Sequence, residues 1–134
     1  MKKITVFLLV VFCLGMTGCN KDAEFEAFIT DFDAVTKDVV AKIDANPTAA
    51  GIDEAHKAFT AKKPALRSKF ESLKSARGMQ VSEAVQKKFA DSLVNNMKAL
   101  ADVRVKNMMK WAMDKEATDK FNALMTDYQE TIKL

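Results

Sequence analysis

From residue 22 onward, the large apolar residues of this chain fall three or four positions apart. That spacing places them on single stripes of amphipathic α-helices and leaves no room for the strict alternation of a strand. The first stripe holds Phe25, Phe28, Ile29, Phe32, Val35, Val39, Val40 and Ile43, which predicts a helix over residues 22–44. Three phenylalanines on one face demand a partner surface. Ala45-Asn46-Pro47 ends the helix, because proline disfavours a helical residue before it.

A second stripe holds Ile52, Ala55, Phe59, Leu66, Phe70 and Leu73. The helix is expected to start near Gly51 or Ile52, with Asp53 and Glu54 in a first turn that favours carboxylates. Pro64 lies inside this pattern. It lacks a backbone donor and crowds the preceding turn, so a kink or two short helices in series are expected near residues 62–64. Gly78 is suited to a left-handed helix stop.

Ser82, with Glu83 just inside, is a plausible N-cap for a third helix of some 30 residues ending near Ala112. Its apolar face would comprise Val85, Phe89, Leu93, Met97, Leu100 and Met108. Asp114 could cap a fourth helix with Ala117, Phe121, Leu124, Met125, Tyr128 and Ile132 on one side. The same residues also fit one long bent helix, and spacing leaves both forms open. Only four glycines and two prolines occur in the chain, and no repeat of solenoid length is present. Short connections favour antiparallel neighbours. The expected fold is all-α: a small antiparallel bundle of three to four helices, the second kinked near Pro64.

The first residues follow a different rule. Lys2 and Lys3 precede an almost wholly apolar run over residues 4–14, and small residues follow. Charge, short apolar core and small residues in that order form the layout of a secretory signal peptide. Eleven apolar residues are too few for a bilayer span, which needs about 20. After Cys19 the chain turns abruptly polar at Asn20, Lys21, Asp22 and Glu24.

Met16-Thr17-Gly18-Cys19 resembles the lipobox of bacterial lipoproteins, with Met16 where that family usually has Leu. The resemblance covers residues 1–20 alone. It implies cleavage between Gly18 and Cys19, a diacylglycerol on the Cys19 thiol and an acyl chain on the freed amine. By resemblance to enteric lipoproteins, Asn20 rather than Asp implies transfer to the periplasmic face of the outer membrane. Two or three acyl chains anchor stably where one holds only marginally. Residues 1–18 are then the removed signal, 19–24 the lipidated end and tether, and 25–134 the bundle domain.

The two cysteines of the chain are Cys13, inside the apolar run, and Cys19. The domain beyond them has no thiol for a disulfide, a metal or a nucleophile. Net charge is +3 and falls to about +1 without Lys2 and Lys3, which gives no reason to expect a nucleic-acid partner. Charge is unevenly spread. Acids dominate residues 22–44. Lys62, Lys63, Arg67, Lys69, Lys74, Arg77, Lys87 and Lys88 gather around the junction of the second and third helices. They could face anionic headgroups or cell-wall polymers, and they equally serve solubility.

His56 is the single histidine and is expected at the surface. Met97, Met108, Met109 and Met113 cluster late in the third helix, beside Trp111. Thioethers bind soft metals such as Cu(I). They more often fill core gaps, and packing is the expectation here. No paired carboxylates or Ser–His arrangement suggests catalysis, no cofactor is implied and no small-molecule substrate is identifiable. The expected protein is a non-enzymatic, lipid-anchored envelope component, its partners a membrane and an envelope protein. The alternatives are a metal or small apolar ligand held between helices near Met97, Met108, Met109 and Met113, or an envelope chaperone or stress sensor with an apolar groove.

Overall fold

A computed structural model describes residues 21–75 and 80–133. The signal segment with Gly18 and Cys19, and the Gly78 stop, lie outside these residues. Four helices form in order: α1 (Asp22–Ala45), α2 (Ala49–Lys74), α3 (Glu83–Trp111) and α4 (Lys115–Thr131). The architecture is the all-α bundle that periodicity implies. The third and fourth segments are separate helices, divided at residues 112–114, where Asp114 accepts the Ala117 N–H at 3.0 Å. Ser82 caps α3 in the same way, accepting from Val85 N–H at 3.3 Å.

The helices run up, down, up, down. α1 packs on α2 and α3, and α2 packs on α4, while α3 and α4 are the most loosely joined of the neighbouring pairs. Ion pairs give the directions. Glu26 meets Lys88 and Asp44 meets Lys106, so α1 and α3 are parallel. Asp53 faces Lys120 and His56 meets Asp127, so α2 and α4 are parallel. Phe25, Phe28, Phe32, Val39 and Ile43 of α1 are buried against Phe59, Leu66 and Phe70 of α2 and Phe121, Leu124 and Tyr128 of α4. Phe32 and Tyr128 lie 5.1 Å apart between ring centroids, and Tyr128 is 5.3 Å from Phe59. One aromatic seam therefore joins the diagonal helices α1 and α4 through the centre.

The two short helices in series that Pro64 allowed do not form: α2 is one unbroken helix with Pro64 inside it. Pro64 is exposed, so the Thr60 carbonyl that loses its donor opens to water. Phe59 and Leu66, buried on either side, hold both halves against the same core. Tertiary packing outweighs the local cost. α2 also starts two residues earlier than expected, capped by Thr48, and its first turn holds no acid. At the other end of α1, Asp22 to Glu24 are helical rather than part of a tether.

α3 departs most from expectation. Its buried face carries Val85, Ser92, Asn96, Leu100, Val103, Asn107 and Trp111. Phe89, Leu93 and Met97 are only partly buried, and Met108 is 60% exposed. Polar partners on α1 explain the rotation. Asp33 accepts from the Ser92 hydroxyl and from Asn96 Nδ2, the latter at 2.7 Å. No buried side-chain polar atom among the described residues lacks a partner.

Gly51 marks a close approach between the start of α2 and the end of α1. A Cβ there would sit 1.9 Å from the Asn46 carbonyl oxygen. Gly51→Ala is therefore expected to destabilise the fold by about 1–3 kcal/mol, although alanine is the better helix former. Thermal unfolding followed by circular dichroism reads this out. An unchanged or raised midpoint would show that the connection can yield.

Candidate functional site

Cys19, the attachment point expected from the sequence, lies outside the described residues, which begin at Lys21. The Lys21 N–H donates to the Gln80 carbonyl at 2.8 Å, and Asp22 Oδ1 accepts from the Ser82 N–H at 2.8 Å. Lys21 Nζ also reaches Glu24 at 2.7 Å. The chain thus enters the bundle pinned to the start of α3, and the helix begins three residues after Cys19. Three residues reach at most about 11 Å. A group attached at Cys19 would lie close under one end of the bundle. No described helix is long and apolar enough to cross a membrane.

The opposite end carries the methionines. α1 is 24 residues long, about 36 Å at 1.5 Å per residue. At its far end Trp111 packs on Phe121 at 4.9 Å, and its indole N–H donates to the Pro47 carbonyl at 3.1 Å. Met109 and Met113, two residues to either side of it in sequence, are 84% and 92% exposed. Core packing, the expected role, does not apply to Met108, Met109 or Met113; Met97 alone of the four lies partly against the core. The structure therefore leaves three of the four thioethers on the surface instead of between helices. Trp111, and not Met108, ends the buried face of α3.

Comparison with protein-family models, with curated proteins and with solved structures finds no match for this chain.

His56 is more engaged than a surface residue. Its Nε2 lies 2.8 Å from Asp127 Oδ2, and Lys63 Nζ donates to the other oxygen at 3.0 Å. The hydrogen bonds from His56 and then Lys63 hold the Asp127 carboxyl below its usual range, against a smaller opposing effect of burial. Among the described residues, no hydroxyl hydrogen-bonds the other ring nitrogen, and no three His, Cys, Asp or Glu side chains converge as metal ligands. The cluster clamps α2 to α4. Sequence reasoning missed it because Asp127 lies 71 positions from His56. The signal available was that His56 and Lys63, seven apart, share a face of α2.

The basic cluster disperses in the same way. Lys69 pairs with Asp31, Lys74 with Glu71, Lys87 with Asp91 and Lys88 with Glu26. Arg67 donates to the Glu130 carbonyl. Arg77 lies outside the described residues. Among the described residues, most of these cations answer neighbouring acids. A cleft of about 430 Å³ opens between α1 and α2, floored by Ala34, Val35, Ala58, Ala65 and Leu66. Asp31, Asp38, Lys62 and Lys69 rim it, with both signs of charge represented.

Proposed function

We propose that this chain is a lipid-anchored component of the bacterial envelope, exported, cut before Cys19 and acylated there, with a non-enzymatic structural or protein-binding role. The observation that carries this reading is Met16-Thr17-Gly18-Cys19 directly after a charged and then apolar leader. The folded part agrees with it physically. α1 starts so soon after Cys19 that the bundle would stand directly on the bilayer, its Lys21 end down. The exposed Met109 and Met113 would then face away from the lipid, about one helix length out, where another envelope protein can reach them. Asn20 favours the periplasmic face of the outer membrane over the inner membrane.

Intact mass of the native protein extracted from membranes tests this. The expected species begins at Cys19 and carries a diacylglycerol and an amide-linked acyl chain. Cys19→Ser is expected to lose the lipid and the membrane association together. Native protein with a free Cys19 thiol, or one retaining residues 1–18, overturns the reading.

A further inference from the structure

All the large, well-exposed apolar side chains among the described residues lie on α3 or just after it: Val94 at 67%, Val105 at 68%, Met108 at 60%, and Met109 and Met113 beyond. Ala90, Ala101 and Ala112 are exposed as well. Ala90, Val94, Ala101, Val105, Met108 and Ala112 follow one another by steps of four, seven, four, three and four, so they form one stripe at 3.6 residues per turn. The stripe points away from the core, opposite Asn96, Val103 and Asn107. It is about 33 Å long. α3 thus has two apolar-containing faces, and the bundle covers only one.

We propose that the outer face of α3 binds a second copy of this chain, the two α3 helices lying parallel about a two-fold axis. Charge beside the stripe supports a self-pairing. Arg104 borders it on one side and makes no ion pair among the described residues. The ion-paired Lys98 and Asp102 lie on the other side, Lys98 nearer the stripe and Asp102 beyond it. In a parallel two-fold pair, opposite borders face each other. Arg104 of each copy then reaches Asp102 of the other, two residues along the axis. Ala101, small and central, lets the helices approach, and Val94, Val105 and Met108 meet their own counterparts.

The parallel direction rests on the anchoring reading above, because two copies held in one membrane by their N-terminal ends must point the same way. Anchoring also supplies strength. One helix face of this length buries less than the roughly 800 Å² per partner of a standard interface. Confinement to a membrane raises the effective concentration and compensates.

The test uses the full chain in cells that process it, with a short bis-maleimide linker applied to isolated envelopes. Parent protein, with its own cysteines, sets the baseline. Ala101→Cys and Met108→Cys are expected to cross-link into dimers at least about tenfold above Asn95→Cys, an exposed α3 position off the stripe, and Val105→Lys should lower the Ala101→Cys yield by a similar factor, equivalent to about 1.4 kcal/mol. Retained blue-shifted emission of the sole tryptophan, Trp111, confirms that each variant folds. Membrane-bound protein in which Ala101→Cys links no better than Asn95→Cys overturns the dimer and leaves the anchor standing. Preferred linkage of Val94→Cys copies to Met108→Cys copies overturns the parallel arrangement. Protein absent from the envelope overturns the anchor, and the parallel pair with it.

Discussion

Phe28→Ala should cost about 3–5 kcal/mol, a large share of the 5–15 kcal/mol that a domain of this size possesses. Phe28 has no exposed surface and touches three other rings: Phe32 and Phe70 with centroids at 5.6 Å, and Phe89 at 6.0 Å. Those rings come from α1, α2 and α3. Removing the phenyl group therefore leaves a void at the point where three helices meet, and a wall built from three rigid helices cannot collapse to fill it. At roughly 4 °C per kcal/mol, the unfolding midpoint should fall by about 12–20 °C. Met113→Ala, at a side chain 92% exposed, provides the contrast and should stay within about 0.5 kcal/mol of the parent. Denaturant titration followed by Trp111 emission measures both. A loss at Phe28 no larger than that at Met113 would mean that the aromatic seam does not hold the bundle together.

The seam was readable in the sequence because it is local. Phe25, Phe28, Phe32, Val39 and Ile43 recur at helical spacing on one segment, and so do Ile52, Ala55, Phe59, Leu66 and Phe70 on the next. The caps at Ser82 and Asp114 were readable for the same reason, since each bonds an N–H three residues ahead. α3 was not readable by that rule. Its apolar residues lie on two faces, and periodicity cannot tell which one enters the core. The inner face can hold the Ser92 hydroxyl and the Asn96 amide because the exposed Asp33 on α1, about 60 positions away, accepts from both. Once those turn inward, Trp111 follows and Met108 turns out.

Pro64 shows the converse. The local cost of a proline is real, yet Phe59 and Leu66 on either side commit to one core, and the helix passes through. The His56–Asp127–Lys63 cluster is a long-range fact of the same kind as Asp33, legible only when α2 and α4 are known to be parallel. The proposed function rests on residues 16–19, and the fold adds only orientation to it: one end pinned at Lys21 and Asp22, the other presenting methionine.

Tyr128 is the only tyrosine in the chain, so tyrosinate absorbance reports on one group alone. It is fully buried, and its hydroxyl donates to Thr36 Oγ1, which itself donates to the Phe32 carbonyl at 2.9 Å. Burial pushes its pKa well above the ordinary value near 10; the Thr36 hydrogen bond works against this, and the negative Asp33 nearby adds to it. The unfolded chain binds and releases the proton at the ordinary value. Stability from this group is therefore fully present below about pH 10 and declines as pH rises above it, by up to about 1.4 kcal/mol per pH unit. Tyrosinate should consequently appear together with unfolding, on the same curve as Trp111 emission, and not before it. Tyr128→Phe should cost about 1 kcal/mol at neutral pH, since Thr36 keeps its Phe32 partner, yet lose stability less steeply in alkali than the parent. Smooth ionisation near pH 10 with the fold intact would show that Tyr128 reaches water, and the centre of the bundle would then be open where this structure has it closed.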